Sequence, residues 1–585
     1  MRVKKTALRR GLTRMGIMAM VLTAGDGAVA GRTAHYDVLI RNGTVYDGTG
    51  KAGLVADVAI RDGRIARIGR HLSGTASRVI DAQGDAVAPG FINMLSWSGE
   101  SLLQDGLGQS VLRQGVTLEV MGEGFSMGPV TPAIRAWMLS RQSDLRYEID
   151  WQTLGDYLDR LEQRGVAVNV ASYVGAATVR MTSLGASDAA PDPTQLDAMR
   201  AVVREAMEEG AMGVASSLIY PPGTYAGTDE IKALVREAGR CGGIYATHLR
   251  SEGDRFVEAV DEAIDIARST GTPLEIFHLK VGGRANWSRM RDVVGHIDAA
   301  RASGVRVTTD MYVYHASGTG LAASIPPWVQ ADGPQAMARR LKDPAVRSRV
   351  LAEMRDPAPA WDNIMAMAGG PDNVVLATVR QDALRPYIGK SLSDIGRLRG
   401  ISAEDALLDI VLEDGGRPEA VYFTMSPDTL NEIVGLPYMS FSSDGIAMAP
   451  EGAFLKSATH PRSYGNFARV LARYVRAEHR LPLAEAIRKM TGLPASVLGL
   501  RDRGRLAEGY AADVVVFDPA TIQDHADYVE PHRYATGVSH VLVNGVLTLT
   551  DGVPTGAKAG QVVRGAGWKG WPDGGCRASP ADWPR

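Results

Sequence analysis

The 585-residue sequence contains little cysteine, no excess of either charge and no apolar run long enough to span a bilayer. Its two cysteines, Cys241 and Cys576, lie far apart, and Cys576 falls in an irregular tail. Such a pair predicts neither a disulfide framework nor a Cys-x-x-Cys metal site, so any metal must bind histidine and carboxylate. The 64 Lys and Arg residues nearly balance the 66 Asp and Glu residues. This balance argues against nucleic acid or an anionic membrane as the partner.

Residues 1–30 are typical of a secretory signal. Basic residues precede a short apolar stretch from Gly16 to Ala24, and Ala28-Val29-Ala30 has the A-x-A form of a cleavage site. The stretch is much shorter than the roughly 20 residues that a membrane span needs. We therefore predict an exported, periplasmic protein without a membrane span; the alternative is a disordered basic leader on a cytoplasmic protein.

The two ends of the chain share a β-rich pattern. Short β-prone runs between Tyr36 and Ile80 are broken by Asn42-Gly43 and Asp62-Gly63, which predict hairpins, and similar runs recur between Ala512 and Val546. Neither end has enough strands to bury a core alone. We predict that residues 31–88 and 501–564 fold together as one composite β-sandwich domain, followed by an irregular tail at 565–585.

Between residues 89 and 500, candidate strands alternate with helical stretches. This pattern predicts an α/β fold, a TIM-like (β/α)8 barrel. The interval between the candidate strands that end at Asp310 and Asp444 is too long for regular repeats. Within it, residues 327–385 look helical, and we interpret them as an insertion near the barrel mouth.

Two strand-like runs end in histidine, at His248 and His278, with an amphipathic helical stretch between them. In a parallel barrel this spacing points both imidazoles into the mouth formed by the carboxyl ends of the strands. Glu123 and Asp444 also end apolar runs.

These four side chains suit a hydrolytic zinc site. Glu123, His248 and His278 would bind one zinc ion, which lowers the pKa of a water to about 7. Asp444 would be the general base and could also touch the metal. In the alternative interpretation the histidines are structural, Glu123 is a turn carboxylate and Asp444 belongs to an ordinary Asp-Gly turn.

The chain resembles the D-aminoacylase (N-acyl-D-amino-acid deacylase) family of the amidohydrolase superfamily from about Tyr36 to Val546. The motifs that carry the resemblance are Ala88-Pro89-Gly90-Phe91-Ile92, Gly115-Val116-Thr117, Ser216-Ser217-Leu218-Ile219-Tyr220-Pro221-Pro222-Gly223, Thr247-His248-Leu249-Arg250, His278-Leu279-Lys280, Ser443-Asp444-Gly445, His460-Pro461-Arg462-Ser463-Tyr464-Gly465 and Gly509-Tyr510-Ala511-Ala512-Asp513. The resemblance implies a TIM-like barrel of the metal-dependent amidohydrolase type, a composite β-domain, zinc, and hydrolysis of an N-acyl bond that releases a D-amino acid.

The resemblance also implies roles for individual residues. His248 and His278 match zinc ligands, Asp444 matches the catalytic aspartate, and Glu123 stands where many members have a cysteine ligand. The positions that match substrate-binding residues are Lys280, Tyr312 and Arg462. An arginine suits a substrate carboxylate because its planar guanidinium donates two parallel hydrogen bonds. Surface or structural charge is the alternative role for these residues, and a carbamylated Lys280 is a further candidate metal ligand.

One segment departs from the family pattern. Where the superfamily has Asp-x-His-x-His, this chain has Asn93-Met94-Leu95-Ser96-Trp97. Neither Leu95 nor Trp97 can bind zinc, so we expect one zinc ion per chain, with Trp97 filling the vacated volume as apolar surface.

The function predicted from these residues is zinc-dependent hydrolysis of N-acyl-D-amino acids or closely related small N-acyl substrates. One alternative is an amidohydrolase that acts on another C–N bond, such as a cyclic amide or a dipeptide. The other is a catalytically inactive barrel retained for binding, because the two histidines are replaced by Leu95 and Trp97. The sequence makes no prediction of oligomeric state, acyl preference or side-chain preference.

Overall fold

The computed structural model describes residues 34–357, 359–415 and 417–576; the predicted signal segment, residues 1–30, lies outside them. The strands are β1 (His35–Val45), β2 (Leu54–Arg61), β3 (Arg64–Gly69), β4 (Thr75–Asp81), β5 (Ala86–Pro89), β6 (Phe91–Ser96), β7 (Val116–Met121), β8 (Asn169–Ser172), β9 (Val174–Gly175), β10 (Gly213–Ser217), β11 (Ile244–His248), β12 (Leu274–Ile276), β13 (Val307–Met311), β14 (Ser317–Gly320), β15 (Val374–Thr378), β16 (Glu419–Tyr422), β17 (Met439–Phe441), β18 (Val514–Phe517), β19 (Val538–Val543), β20 (Val546–Thr550) and β21 (Val553–Pro554).

The α-helices are α1 (Ser101–Gln104), α2 (Gln109–Leu112), α3 (Pro132–Arg141), α4 (Leu154–Arg164), α5 (Ala176–Leu184), α6 (Pro193–Glu208), α7 (Thr228–Arg240), α8 (Phe256–Thr270), α9 (Met290–Ala302), α10 (Pro327–Gln330), α11 (Pro334–Lys342), α12 (Pro344–Met354), α13 (Ile364–Met367), α14 (Leu392–Arg399), α15 (Ala403–Asp414), α16 (Pro427–Ile433), α17 (Arg462–Arg469), α18 (Leu483–Met490) and α19 (Gly492–Val497). Within the described ranges, no helix has both the length and the apolar character that a bilayer span requires.

Strands from both ends of the chain share one nine-stranded sheet. Strand β18 pairs antiparallel with β5, which links the C-terminal strands to the N-terminal ones. Asp62 and Asn544 have positive φ immediately before a glycine, as the two-residue turns of the β2–β3 and β19–β20 hairpins require.

The predicted hairpin at Asn42-Gly43 is wrong. Both residues lie inside β1, where the pairing register shifts between Ile40 and Gly43, so the dipeptide forms a bulge. Glycine is required there because an added Cβ would lie 2.4 Å from the Val87 side chain.

Two parallel sheets form the centre of the chain. One has the order β6-β7-β8, and the other has the order β17-β13-β12-β11-β10-β9. Only Tyr173 separates β8 from β9, and a parallel bridge between Ser96 and Gly445 joins the end of β6 to the segment after β17. Helices α6 to α9 connect successive strands; α7, for example, buries Ile231, Leu234 and Ala238 at helical spacing. The architecture is therefore α/β, and the carboxyl ends of all these strands face the same side.

A third, antiparallel sheet has the order β14-β16-β15. Together with helices α10 to α15 it surrounds a separate apolar core that includes Leu321, Leu376 and Tyr422. Residues 327–385, predicted to be helical, contain α10 to α13 but also strand β15. The Val374–Thr378 run is only five residues long, and the surrounding helix-rich composition concealed it.

The described part of the tail, through Cys576, has no regular helix and returns to the body of the protein. Cys576 forms a disulfide with Cys241, which immediately follows α7. The sequence predicted no disulfide framework, and it did not anticipate this single bond. The two cysteines are 335 residues apart in sequence, and the sequence does not show where the tail packs. In the structure, bonds such as that from the Gly565 N–H to the Gly210 carbonyl hold the tail beside α6 and α7.

Candidate active site

Glu123, His248 and His278 form a buried cluster at the carboxyl ends of β7, β11 and β12. One possible ligand atom from each lies within 4.8 Å of the other two. His278 Nε2 is 3.5 Å from Glu123 Oε1, and the two imidazole centroids are 4.6 Å apart. The structure thus brings together the three residues that the sequence suggested as metal ligands.

The backbone around Glu123 explains its flanking glycines. Gly122 and Gly124 both have positive φ, and a Cβ on Gly124 would lie 1.9 Å from Ser217 Oγ. Only glycine allows this close approach to Ser217 at the end of β10. The local sequence Gly-Glu-Gly therefore turns the carboxylate inward at the end of β7.

Hydrogen bonds that involve backbone groups fix the positions of both histidines. His248 Nδ1 lies 3.0 Å from the Leu249 carbonyl oxygen, so a proton on Nδ1 leaves Nε2 as a lone-pair donor. His278 has φ of 34° and donates its backbone N–H to Asp310 Oδ1 at 2.9 Å. Positive φ at a non-glycine residue is uncommon and here accompanies a side chain that points into the site.

Glu252, which the sequence reasoning missed, connects the two histidines to Lys280. Its Oε1 is 2.5 Å from Lys280 Nζ, 3.3 Å from His278 Nδ1 and 3.6 Å from His248 Nε2. Burial alone would raise the pKa of Glu252, but its interactions with the two histidines and with Lys280 hold it well below its usual value. The available signal was its position four residues after His248, within the loop that follows β11. Lys280 is therefore placed in the site as predicted, but its ammonium group is paired.

The two histidines differ in their affinity for a proton. Burial lowers the pKa of His248 to about 4, so its imidazole is neutral at physiological pH. Burial and Lys280 also act to lower the pKa of His278, but hydrogen bonds to Glu123 and Glu252 outweigh them and raise it to about 10. The carboxylates around His278 thus stabilise positive charge at this point, and a metal ion that bound His278 would have to displace its proton.

Asp444 and Arg462 form a buried ion pair beside the cluster, with 2.6 Å between Asp444 Oδ2 and Arg462 Nη1. Burial raises the pKa of Asp444, while Arg462 acts to lower it. Asp444 has φ of 46° three residues after β17. Arg462, the predicted binder of a substrate carboxylate, therefore contacts the predicted general base in the free protein.

Tyr312 lies under the Arg462 guanidinium, whose Cζ is 4.6 Å from the centre of the phenol ring. Its buried hydroxyl has no hydrogen-bond partner within the described residues. A buried, unsatisfied hydroxyl beside a cation is suited to donate to an anionic group of a ligand. The structure therefore places Tyr312, a predicted substrate-binding residue, in the same cavity as Arg462.

Trp97 does more than fill space. Its Nε1–H donates to Glu123 Oε2 at 3.1 Å and to Asp444 Oδ1 at 3.0 Å. The expectation that this indole acts only as apolar surface is therefore wrong. Leu95, the other replacement, is fully buried in an apolar cluster. The signal was the position of Trp97 directly after β6, where its side chain faces the same side as Glu123.

All of these polar groups line one cavity of about 460 Å³. Its size is within the usual range for small-molecule sites. The cavity is lined by the Glu123–His248–His278 cluster, the Asp444–Arg462 pair and Tyr312, and also by apolar side chains such as Trp137. Such an arrangement suits metal-assisted hydrolysis of a small anionic substrate.

Comparisons with known proteins agree with this geometry. The model of the amidohydrolase family, Amidohydro_3, matches residues 78–549. D-aminoacylase from Alcaligenes xylosoxydans xylosoxydans is 32% identical over 532 residues, which cover 90% of this chain and 97% of that protein. N-acyl-D-glutamate deacylase from the same organism is 33% identical over 530 residues, with 90% and 96% coverage.

Solved structures are similar over the same length. N-acyl-D-glutamate deacylase from Bordetella bronchiseptica, complexed with zinc and a phosphonate mimic of the tetrahedral intermediate, has a TM-score of 0.75 and 30% identity, covering 91% of this chain and all of that one. A D-aminoacylase structure that concerns one-metal activation and second-metal attenuation has a TM-score of 0.75 and 31% identity, with 90% and 100% coverage. The chain belongs to the amidohydrolase family, within the D-aminoacylase group of hydrolases that act on linear amides.

Proposed function

We propose that this protein hydrolyses the amide bond of N-acyl-D-amino acids with one zinc ion bound by Glu123, His248 and His278. The observation that carries the proposal is the buried cluster of these three residues beside the Asp444 carboxylate. The names of its relatives, which are deacylases of N-acyl-D-amino acids, support the substrate class.

The donor set fits zinc. Two imidazoles and one carboxylate are a known catalytic zinc ligand set, and they leave a fourth position open. The neutral state of His248 and the carbonyl contact of its Nδ1 suit ligation through Nε2. When bound, zinc supplies a water whose pKa is lowered to about 7.

Asp444 is the proposed general base. Its Oδ1 accepts from Trp97 and its Oδ2 contacts Arg462, so both oxygens are held in fixed positions next to Glu123. A carboxylate in this position can take the proton of the attacking water and give it to the leaving amine nitrogen. The ion pair with Arg462 keeps this buried acid available in its basic form.

The substrate carboxylate is proposed to bind Arg462, Tyr312 and Lys280. The guanidinium can donate two parallel hydrogen bonds, and the free hydroxyl of Tyr312 can add a third. When the substrate carboxylate binds Arg462, the positive charge of the guanidinium interacts with two carboxylates and attracts Asp444 less strongly. Asp444 then becomes a stronger base at the point where it is needed.

The architecture supports this placement. We infer that the two parallel sheets form a single TIM-like barrel of eight strands, with β8 and β9 counted as one strand and the Ser96–Gly445 bridge closing the ring. Residues 89–500 then form the catalytic domain, and residues 31–88 with 501–564 form the composite β-domain. The unit that includes residues 327–385 covers the barrel mouth, since Met337 and Met367 line the cavity.

The protein is also proposed to be exported to the periplasm. The signal-like features of residues 1–30 support this, and the Cys241–Cys576 disulfide adds support because such bonds persist in oxidising compartments.

The proposal is tested with the purified mature protein. Elemental analysis should give one zinc per chain, and N-acetyl-D-amino acids should be hydrolysed faster than their L-enantiomers. A panel with hydantoins and dipeptides separates the proposed reaction from hydrolysis of another C–N bond. A protein without bound metal and without turnover would contradict the proposal.

A further inference from the structure

The cavity is larger than a small N-acyl amino acid requires. N-acetyl-D-alanine has roughly nine non-hydrogen atoms; at the ~30 Å³ that a water molecule occupies in the liquid, it would fill at most about 270 Å³. The cavity encloses about 460 Å³. Space for another chain of several carbon atoms therefore remains beside the metal-binding cluster.

The additional space has an apolar wall, which we name the α3 lobe. Ile134, Trp137 and Met138 lie on one face of α3 at positions i, i+3 and i+4. The other members of the wall are Phe125, Met127 and Met181. Phe125 stacks on Trp137 with 5.0 Å between ring centroids, and methionine side chains adapt their shape to an apolar ligand.

The lobe and the proposed carboxylate site come from opposite regions of the fold. Met181 belongs to α5, which follows β9, whereas Tyr312 follows β13. Strands β10, β11 and β12 lie between β9 and β13, and in a ring of eight strands these positions face each other. A substrate with its carboxylate near Tyr312 and its amide at the metal-binding cluster therefore directs its acyl group toward the α3 lobe.

We propose that the α3 lobe binds the acyl chain of the substrate and that the protein prefers medium-length apolar acyl groups to acetyl. This inference rests on the proposed deacylase function. At the end of α3 the apolar face is followed by Arg141, which lines the same cavity, comes seven residues after Ile134 and stacks on Trp137. Seven residues of helix span about 10 Å. Each C–C bond of ~1.5 Å lengthens an extended acyl chain by about 1.3 Å, so a chain of about eight carbons has the same length. The charged end of the lobe sets an optimum length.

The test is a series of N-acyl-D-alanines with acyl chains from acetyl to dodecanoyl. We expect kcat/KM to rise about threefold or more for each added methylene up to about eight carbons, and then to level off or fall. A parallel series of N-acetyl-D-amino acids with lengthening straight side chains distinguishes acyl from side-chain binding. If kcat/KM does not change along the acyl series while N-acetyl-D-alanine is hydrolysed, the acyl-binding role of the lobe is overturned and the proposed function stands. If kcat/KM rises only along the side-chain series, the lobe binds the side chain and not the acyl group.

Variants and a binding measurement make the result specific to the lobe. Trp137→Ala and, as a second variant, Met181→Ala should each lower the ratio of octanoyl to acetyl kcat/KM at least fivefold. Leu139→Ala is the matched control, because Leu139 is on the same helix but is 43% exposed to solvent, and it should leave the ratio unchanged. Calorimetric binding of the same acyl series to Asp444→Asn tests the lobe even without turnover; equal affinity for acetyl and octanoyl compounds would overturn it.

Discussion

Replacing Trp97 with phenylalanine tests how the site holds its two carboxylates. The change removes the single N–H that bonds Glu123 at 3.1 Å and Asp444 at 3.0 Å, and it keeps an aromatic ring, although a smaller one. A hydrogen bond to a charged group contributes about 1.5 to 3 kcal/mol. Because one N–H serves both acceptors, we expect a total loss of about 2 to 3 kcal/mol rather than twice that value.

This loss should appear in catalysis. At about 1.4 kcal/mol for each factor of ten, kcat/KM should fall roughly 30- to 150-fold with saturating zinc. Zinc affinity should fall about 10- to 100-fold, which is typical when a contact to a metal ligand is removed. Without the donor, the pKa of Asp444 should rise further, so the acid limb of the pH profile should move to higher pH.

The assay compares steady-state kinetics, zinc titration and pH profiles of wild type and Trp97→Phe. Trp328→Phe is the matched control, because Trp328 Nε1 donates to Glu353 at 2.8 Å in a partly exposed setting outside the cavity. The control should keep wild-type kcat/KM and zinc affinity. If Trp97→Phe also stays within twofold of wild type with an unshifted pH profile, the indole does not position these carboxylates.

Four further changes follow from the structure. Asp444→Asn should lower kcat by about 10² to 10⁴-fold while elemental analysis still finds zinc, because Asp444 is not one of the three clustered residues. Added zinc at 100 times its Kd should stabilise the wild type by about 2.7 kcal/mol in thermal unfolding and leave His248→Ala unaffected. Tyr312→Phe should lower kcat/KM roughly 10- to 100-fold without a change in thermal stability, since its hydroxyl has no partner among the described residues of the free protein. Reductant should lower the Tm of the wild type but not of Cys576→Ser, which lacks the bond to Cys241 and loses about 2 to 4 kcal/mol.

Each of these has a clear contrary result. Loss of zinc from Asp444→Asn would make Asp444 a required ligand, and zinc stabilisation of His248→Ala would remove His248 from the metal site. Unchanged kinetics in Tyr312→Phe would exclude its hydroxyl from substrate binding. A wild-type Tm that is insensitive to reductant would show that the disulfide does not stabilise the fold.

The sequence predicted the Glu123–His248–His278 cluster because the evidence for each residue was local. His248 and His278 each end an apolar run one β/α unit apart, and such runs place their last residues on one side of a parallel sheet. Glu123 was recognisable for the same reason, with glycines on both sides that its backbone geometry requires.

Features that depend on long-range contacts were not predictable. The bond from Trp97 to Asp444 joins residues far apart in sequence, and hydrophobicity alone suggested an apolar role for the indole. The Cys241–Cys576 pair likewise depends on the path of the tail. Glu252 carried a local signal, but a carboxylate in a loop becomes informative only when its partners are known.

The most direct test of the central claim is X-ray anomalous scattering at the zinc edge from crystals of the zinc-loaded protein. We predict one peak within bonding distance, roughly 2.0 to 2.2 Å, of Glu123, His248 and His278, adjacent to Asp444. No peak at this position, or a zinc ion bound by other residues, would contradict the account.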